Sequence, residues 1–123
     1  MVFYMHVEDH VSALILIQGN GATGEYFCIG GNEEKSNLEV VNKICEVLDI
    51  ELPREYSYKK LIRFIKDRPG HDLRYSINCK KLETNLKWVK QYDFDKGMEI
   101  TVKWYLKNID WCTNLYFSST ILP

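Results

Sequence analysis

Long apolar runs, closely spaced cysteines and an excess of charge of either sign are all missing from this 123-residue sequence. The apolar stretch at residues 13–17 is far too short to cross a bilayer, which takes about 20 residues. No basic region followed by a cleavable apolar core opens the chain, so no export signal is visible. The 16 basic and 17 acidic residues are interspersed, whereas nucleic acids and anionic membranes bind clustered basic faces. These absences predict a cytoplasmic protein that binds neither nucleic acid nor membrane.

The cysteines have the wrong spacing for a metal site or a disulfide framework. The four of them are widely separated and form no C-x-x-C pair, whereas zinc sites and small disulfide scaffolds show close spacing. Free cysteine behaves as a small buried hydrophobe in most proteins. The sequence therefore predicts reduced thiols and no metal ligands at Cys28, Cys45, Cys79 and Cys112.

What is present predicts one α/β domain over residues 1–123 in which helices dominate, since this length and an apolar content of 46% suit a single core. Ser36 and Glu39 form a capping box, which opens the clearest helix of the chain. Asp9 is the expected cap of an earlier helix. Periodicity and composition predict helices over residues 10–18, 79–86 and 94–107, one or two helical turns over 58–62, and strands over 2–7, 25–29 and 64–66. No element is assigned after residue 108.

Two segments match enzyme motifs in the wrong structural context. Residues 19–24 read G-x-G-x-x-G, a pattern that binds a dinucleotide only where a strand precedes it and a helix begins at its third glycine. Here a helix precedes the glycines and a strand is expected after them, so a simple turn is the better interpretation. Tyr56 and Lys60 spell the Y-x-x-x-K pair of short-chain dehydrogenases, but they follow Pro53 in a charged, loop-like region. We therefore interpret residues 56–60 as a charged segment exposed to solvent on the surface.

Two polar segments are the candidates for a binding site. Residues 67–75, D-R-P-G-H-D-L-R-Y, place Arg68 and His71 around a rigid turn, and the planar guanidinium group matches the oxygen atoms of a phosphate. Residues 30–34, G-G-N-E-E, follow a predicted strand, and ligand sites in α/β proteins favour such strand ends. Composition alone leaves an alternative open, in which the arginines of the turn pair with Asp67 and Asp72 and only hold the loop together.

The order of the motifs resembles one family. The strings Y-F-C-I-G-G at 26–31, K-S-N-L-E-V-V at 35–41, D-R-P-G-H-D-L-R-Y at 67–75 and T-V-K-W-Y-L at 101–106, together with H-V-E-D-H at 6–10, are similar to the distal part of dTDP-glucose 4,6-dehydratases. These enzymes are extended short-chain dehydrogenase/reductases. The resemblance implies the helix-rich substrate-binding lobe of that fold with a terminal strand or two of the Rossmann sheet, and no complete dinucleotide-binding unit. Residues 1–31 would be the remnant of the Rossmann edge, and 109–123 a tail.

The resemblance also implies roles for particular residues. In the family, the arginine and the histidine of the D-R-P-G-H-D string lie at the sugar-nucleotide site, with the arginine on the diphosphate, which corresponds to Arg68 and His71. The polar residue after the double glycine approaches the diphosphate, which points to Asn32, or to Glu33 if the register slips by one. The sequence departs from the family at three places: V-F at 2–3 replaces Arg-Asp, C replaces asparagine at 28, and K-W at 87–88 replaces Gly-Trp.

The family's NAD-binding turn, its Thr-Asp-Glu dehydration set and its Y-x-x-x-K helix all precede the region matched here. The resemblance therefore implies a truncated or split enzyme that binds dTDP-glucose weakly, holds no NAD in this chain and is inactive alone. A separate chain with the Rossmann half would be its partner. Two alternatives stay open: a non-catalytic module that interacts with other proteins or forms homo-oligomers, and a fragment of another nucleotide-sugar epimerase or decarboxylase.

Overall fold

A computed structural model describes residues 1–67, 69–70 and 74–119 of the chain, with side chains as far as Leu115. Helices dominate this part of the chain, and the sheet within it has two strands, as the α/β prediction with few strands required. The elements in chain order are β1 (Val2–Phe3), α1 (Val7–Asn20), β2 (Glu34–Lys35), α2 (Asn37–Glu51), a 3₁₀ turn (Tyr58–Leu61), α3 (Lys80–Leu86), α4 (Phe94–Lys107) and α5 (Ile109–Ser119).

The predicted capping box is confirmed at the start of α2. The Ser36 hydroxyl accepts a hydrogen bond from the Glu39 amide at 3.2 Å, and the Glu39 carboxylate accepts one from the Ser36 amide at 2.7 Å. These two bonds satisfy amides that the first helical turn leaves without partners. The bond from the Ser36 amide to the Glu39 carboxylate, followed by a bond from the Ser36 hydroxyl to the same carboxylate, lowers the pKa of Glu39. A local sequence signal therefore sets the boundary of the longest helix.

The predicted cap of α1 was wrong. The helix begins at Val7 with His6 as its N-cap, whose ring accepts a hydrogen bond from the Glu8 amide at 3.4 Å. Asp9 lies inside the first turns and is fully buried, because its carboxylate binds a loop more than 80 residues away in the chain. The N-cap rule had assigned the Asp9 carboxylate to the start of the helix, but in the structure this carboxylate binds amides of a distant loop.

The predicted strands are mostly absent from the described residues. Strand β1 covers two residues of the six predicted, and neither residues 25–29 nor residues 64–66 form a strand. Tyr26, Phe64 and Ile65 are highly exposed, whereas Phe27 and Ile29 are partly buried against the core. A β-prone composition makes a strand only where a neighbouring backbone completes the ladder. The predicted turn near 58–62 and the helices near 79–86 and 94–107 are confirmed.

The core lies between α1, α3 and the loop that follows α3. Ala13, Leu82 and Trp88 are its buried centre. Partly buried apolar side chains surround them: Met5, Leu16, Ile17, Phe27, Ile29 and Leu86. Helix α4 lies against α2, with ion pairs from Lys43 to Asp95 at 2.7 Å and from Lys103 to Glu51 at 3.2 Å.

Candidate functional site

A cleft of about 510 Å³ opens where the double glycine meets the loop after α3. Residues 30–33 form one wall and residues 87–90 the other, with Glu83 of α3 between them. The glycines are required by packing, because a Cβ atom at Gly31 would collide with the Tyr4 carbonyl oxygen and one at Gly30 with the Ile77 side chain. The double glycine therefore lets two loops come together at the sheet edge.

Asn32 is held in one orientation at this wall. Its backbone has a φ of 56°, a left-handed conformation that asparagine tolerates better than most residues. Its amide nitrogen donates to the Glu83 carboxylate at 2.6 Å, and its amide oxygen accepts from the Cys79 thiol at 3.0 Å. Burial, followed by the Glu83 carboxylate, raises the pKa of the Cys79 thiol, so the thiol stays a neutral donor. Asn32 is nevertheless exposed to solvent.

Glu33 has both carboxylate oxygens engaged. One oxygen forms an ion pair with the Lys90 ammonium group across the cleft, and the other accepts from the Phe94 amide at 3.0 Å. The Glu33 carbonyl also accepts from the Tyr4 amide at 3.3 Å. Glu33 thereby connects the sheet edge, the loop after α3 and the start of α4.

The opposite wall depends on Asp9, a role that sequence reasoning missed. Its carboxylate accepts from the Gln91 amide at 2.8 Å and from the Tyr92 amide at 3.2 Å. One turn further along α1, the Ser12 hydroxyl accepts from the Trp88 indole at 3.0 Å. The sequence did contain a signal for this role: Asp9 places a carboxylate on the helix face that otherwise packs into the core. A buried charge requires hydrogen-bonding partners.

The end of the predicted phosphate-binding segment lies at the same edge of the sheet. Arg68 and His71 lie outside the described residues, so their predicted roles stay predictions. The end of the segment is described: the Arg74 guanidinium group forms an ion pair with Glu34 at 2.6 Å, and the Tyr75 amide donates to the Met1 carbonyl at 2.8 Å. Glu34 follows Glu33 directly. The structure therefore attaches the end of the turn next to the double-glycine loop, through an arginine that pairs outside its own loop.

The two motifs with unsuitable context do not form cofactor sites. Asn20, inside the glycine-rich segment, is the last residue of α1, and the Gly21 amide donates to the Ile17 carbonyl at 2.8 Å as the helix ends. A dinucleotide needs the opposite arrangement, with free amides at a helix start. The Lys60 ammonium group lies 5.6 Å above the centroid of the Tyr56 ring, which is a surface cation–π contact.

The described residues contain neither a cluster placed to hold a metal ion nor a helix that could span a membrane. All four cysteines are free thiols, and no group of three or more His, Cys, Asp or Glu side chains among the described residues is placed to hold a metal ion. Within the same residues, no helix has the length and apolar character needed to cross a membrane.

Comparison with known proteins connects these features to one family. The family model described as GDP-mannose 4,6 dehydratase matches residues 3–101. The dTDP-glucose 4,6-dehydratase of Shigella flexneri is 44% identical over 112 residues, which are 91% of this chain and 31% of that protein. The probable dTDP-glucose 4,6-dehydratase of Sinorhizobium fredii is 49% identical over 108 residues, 88% of this chain and 31% of that protein.

A solved structure agrees with the sequence relatives. The crystal structure of dTDP-glucose 4,6-dehydratase from Bacillus anthracis in complex with NAD superposes with a TM-score of 0.76 at 40% identity, covering 89% of this chain and 32% of that one. The chain thus spans about a third of the length of these relatives. Its fold is correspondingly a part of the extended short-chain dehydrogenase fold, and the chain belongs to the GDP-mannose 4,6-dehydratase family.

Proposed function

We propose that this chain supplies the nucleotide-sugar side of a dTDP-glucose 4,6-dehydratase-type site. Arg68 and His71 bind the diphosphate of dTDP-glucose, and Asn32 approaches it from the double-glycine loop. The Arg74–Glu34 ion pair carries the proposal, because it holds the end of the 67–75 segment one residue from the loop that bears the other candidate residues. The names of the relatives supply the substrate class.

The chemistry of the two candidates in the double-glycine loop favours Asn32 over Glu33. The Asn32 side chain is exposed and uncharged, and Glu83 and Cys79 fix its orientation. Glu33 is an anion whose two carboxylate oxygens already hold Lys90 and the Phe94 amide. We therefore assign Glu33 to the support of the loop and Asn32 to the ligand.

These 123 residues do not supply the hydride chemistry of the relatives. The transfer of a hydride requires a nicotinamide cofactor, which the protein must bind and orient. Among the described residues the glycine-rich segment does not fit NAD, because it ends a helix and the Gly21 amide donates to the Ile17 carbonyl. NAD binding and catalysis therefore require groups outside residues 1–123, on the same polypeptide or on a separate chain.

Calorimetric titration with dTDP tests the binding role. We expect the Arg68→Ala variant to weaken binding about 10- to 100-fold, since a charge-assisted hydrogen bond contributes about 1.5–3 kcal/mol. Arg63→Ala is the matched control, because Arg63 is an exposed arginine nearby whose guanidinium group donates to the Lys60 and Ile62 carbonyls. Equal affinity of the Arg68 variant and the unmodified chain would contradict the assignment.

Two further measurements separate the alternatives. We expect the chain with dTDP-glucose and NAD to yield no 4-keto-6-deoxy product, and turnover would refute the inactive role. Parallel titrations with dTDP, GDP and UDP test which nucleotide is bound, because the matching family model is described for GDP-mannose whereas the relatives reported above are named for dTDP-glucose. Preference for GDP or UDP would indicate that the site corresponds to that of another nucleotide-sugar enzyme, such as an epimerase or a decarboxylase.

A further inference from the structure

Two residues in the left-handed conformation line the same cleft. Among the described residues, two that are not glycine have a positive φ, Asn32 and Lys87, each at 56°. Asn32 lies on the wall of residues 30–33 and Lys87 on the wall of residues 87–90, around the cleft of about 510 Å³. The left-handed region is unfavourable for residues with a side chain, and strain of this kind persists mainly at functional sites. The pair therefore marks this cleft as a place where side chains are kept although glycine would be less strained.

Asn32 has one amide N–H group left for a ligand. The other N–H group donates to the Glu83 carboxylate at 2.6 Å, and the amide oxygen accepts from the buried Cys79 thiol at 3.0 Å. A carboxylate only accepts hydrogen bonds, so the amide cannot turn over without placing its oxygen against Glu83. Among the described residues, nothing accepts from the second N–H group. Asn32 therefore offers a hydrogen-bond donor in a fixed orientation.

Lys87 supplies a cation on the facing wall. It follows the last residue of α3 in the left-handed conformation, at a position where glycine is usual. The residue is exposed, and in the described part of the chain its ammonium group has no ion-pair partner. This holds even for Glu83, four residues earlier, although side chains at that spacing are neighbours on a helix. The Lys87 ammonium group is therefore available to an anion.

The other charges of the cleft belong to three residues. Glu33 and Lys90 form an ion pair with each other, so neither requires a ligand. Glu83 orients Asn32 and brings one negative charge to the wall, which by itself would oppose an anion. Lys87 offsets this charge, because it lies on the same cleft and pairs with no described carboxylate. The donors that remain are one neutral N–H group and one cation, which together suit the oxygen atoms of a phosphate.

We propose that Lys87 is a further ligand-binding residue of this cleft: its ammonium group and the Asn32 N–H group hold one phosphate group from opposite walls. The phosphate belongs either to the diphosphate of a nucleotide sugar or to a free phosphate compound, since both sources offer the same oxygen atoms. The inference rests on the proposed function for the contact at Asn32 and adds the residue on the second wall. It also gives a reason for the left-handed lysine, because glycine at this position would remove the cation.

Calorimetric titrations of the 123-residue chain with dTDP and with pyrophosphate test the proposal. We expect Lys87→Gly to raise the Kd of the bound compound about tenfold, since a charge-assisted hydrogen bond is lost. The same variant should raise the midpoint of urea denaturation, because glycine adopts the left-handed conformation without strain. A substitution that only damaged the fold would weaken binding and lower the midpoint together. Opposite directions therefore separate a binding role from a structural one.

Three further variants complete the test. Lys107→Gly removes a lysine from the end of α4, outside the cleft, and should leave the Kd of both compounds unchanged. Lys87→Arg keeps a cation that binds phosphate, so its Kd should stay within about threefold of that of the unmodified chain. Asn32→Gly suits the same backbone conformation and should raise the Kd about tenfold, because the N–H donor on the first wall is lost.

The two compounds identify the source of the phosphate group. Weaker binding of dTDP alone in Lys87→Gly supports the nucleotide as that source, and weaker binding of pyrophosphate supports a site that also takes free phosphate compounds. The inference is overturned by an unchanged Kd for both compounds in Lys87→Gly, by an equal change in Lys107→Gly, or by weaker binding together with a lower midpoint. Failure of the unmodified chain to bind either compound would also overturn it. The proposed function fails separately, when Arg68→Ala leaves the affinity for dTDP unchanged.

Discussion

Removal of the Asp9 carboxylate should destabilise the fold more than any exposed acidic substitution. Asp9 is fully buried, and its two oxygens accept from the Gln91 and Tyr92 amides at 2.8 and 3.2 Å. A hydrogen bond to a charged group contributes about 1.5–3 kcal/mol, and a buried donor without a partner costs about 1–3 kcal/mol. We therefore expect Asp9→Ala to lower the free energy of unfolding by about 3–5 kcal/mol, a large share of the roughly 5–15 kcal/mol of an ordinary domain.

Urea denaturation followed by tryptophan fluorescence measures this loss, because Trp88 lies in the same loop and in the core. Asp9→Asn separates hydrogen bonding from charge. Its side-chain amide keeps one acceptor oxygen, but its NH2 group replaces the other oxygen and faces a backbone N–H that then has no acceptor. Its cost should fall below that of Asp9→Ala. Glu55→Ala, which removes an exposed carboxylate, is the control and should change the free energy of unfolding by less than about 0.5 kcal/mol.

Hydrogen exchange locates the effect. In Asp9→Ala the Gln91 and Tyr92 amides should exchange faster relative to the amides of α2, because they lose their acceptors while α2 keeps its capping box. A cost below about 1 kcal/mol for Asp9→Ala, or unchanged relative protection of these two amides, would refute the view that Asp9 holds the second wall of the cleft.

Two other predictions concern backbone strain and pH. Lys87 has a φ of 56° at the end of α3, so Lys87→Gly should raise the midpoint of denaturation by relieving about 1 kcal/mol of backbone strain. The control Lys107→Gly, at the end of α4, should lower the midpoint. Equal effects of the two substitutions would contradict the prediction. Hydrogen bonds from the Ser57 hydroxyl and then the Tyr58 amide lower the pKa of Asp49. A lowered pKa in the folded state stabilises the fold above the ordinary aspartate pKa of about 4, and this contribution is lost as pH falls below it. As the pH is lowered, the Tm of Asp49→Asn should therefore fall less steeply than the Tm of the unmodified chain. An equal dependence of Tm on pH in the two proteins would contradict this prediction.

The helices were predictable because their signals are local. The capping box of α2 and the apolar period of α4 lie within a few residues of the elements that they specify, and the structure confirms both. Helix α5 was missed because its aromatic residues have no clear period. Its neighbour is α4, with Trp111 against Trp104.

The candidate site was only partly predictable. The double glycine was expected to end a strand that the structure does not contain, but Asn32 and Glu33 after it both line the cleft. The partners that distinguish them, Glu83 for Asn32 and Lys90 for Glu33, lie 51 and 57 residues away in the chain. No spacing rule connects residues at such separations.

The sequence by itself determined the approximate positions of α1 to α4 and the family resemblance, because each depends on residues a few positions apart. Only the tertiary structure decided that Asp9 is a buried loop anchor rather than a cap, and that the Arg74 pair brings the two polar segments to one edge. Within the part of the chain that the structure describes, it also showed that Val7, Val11, Leu14 and Ile15 on one face of α1 are exposed. Burial and ion pairing depend on which distant segments meet, and that is a property of the packed chain.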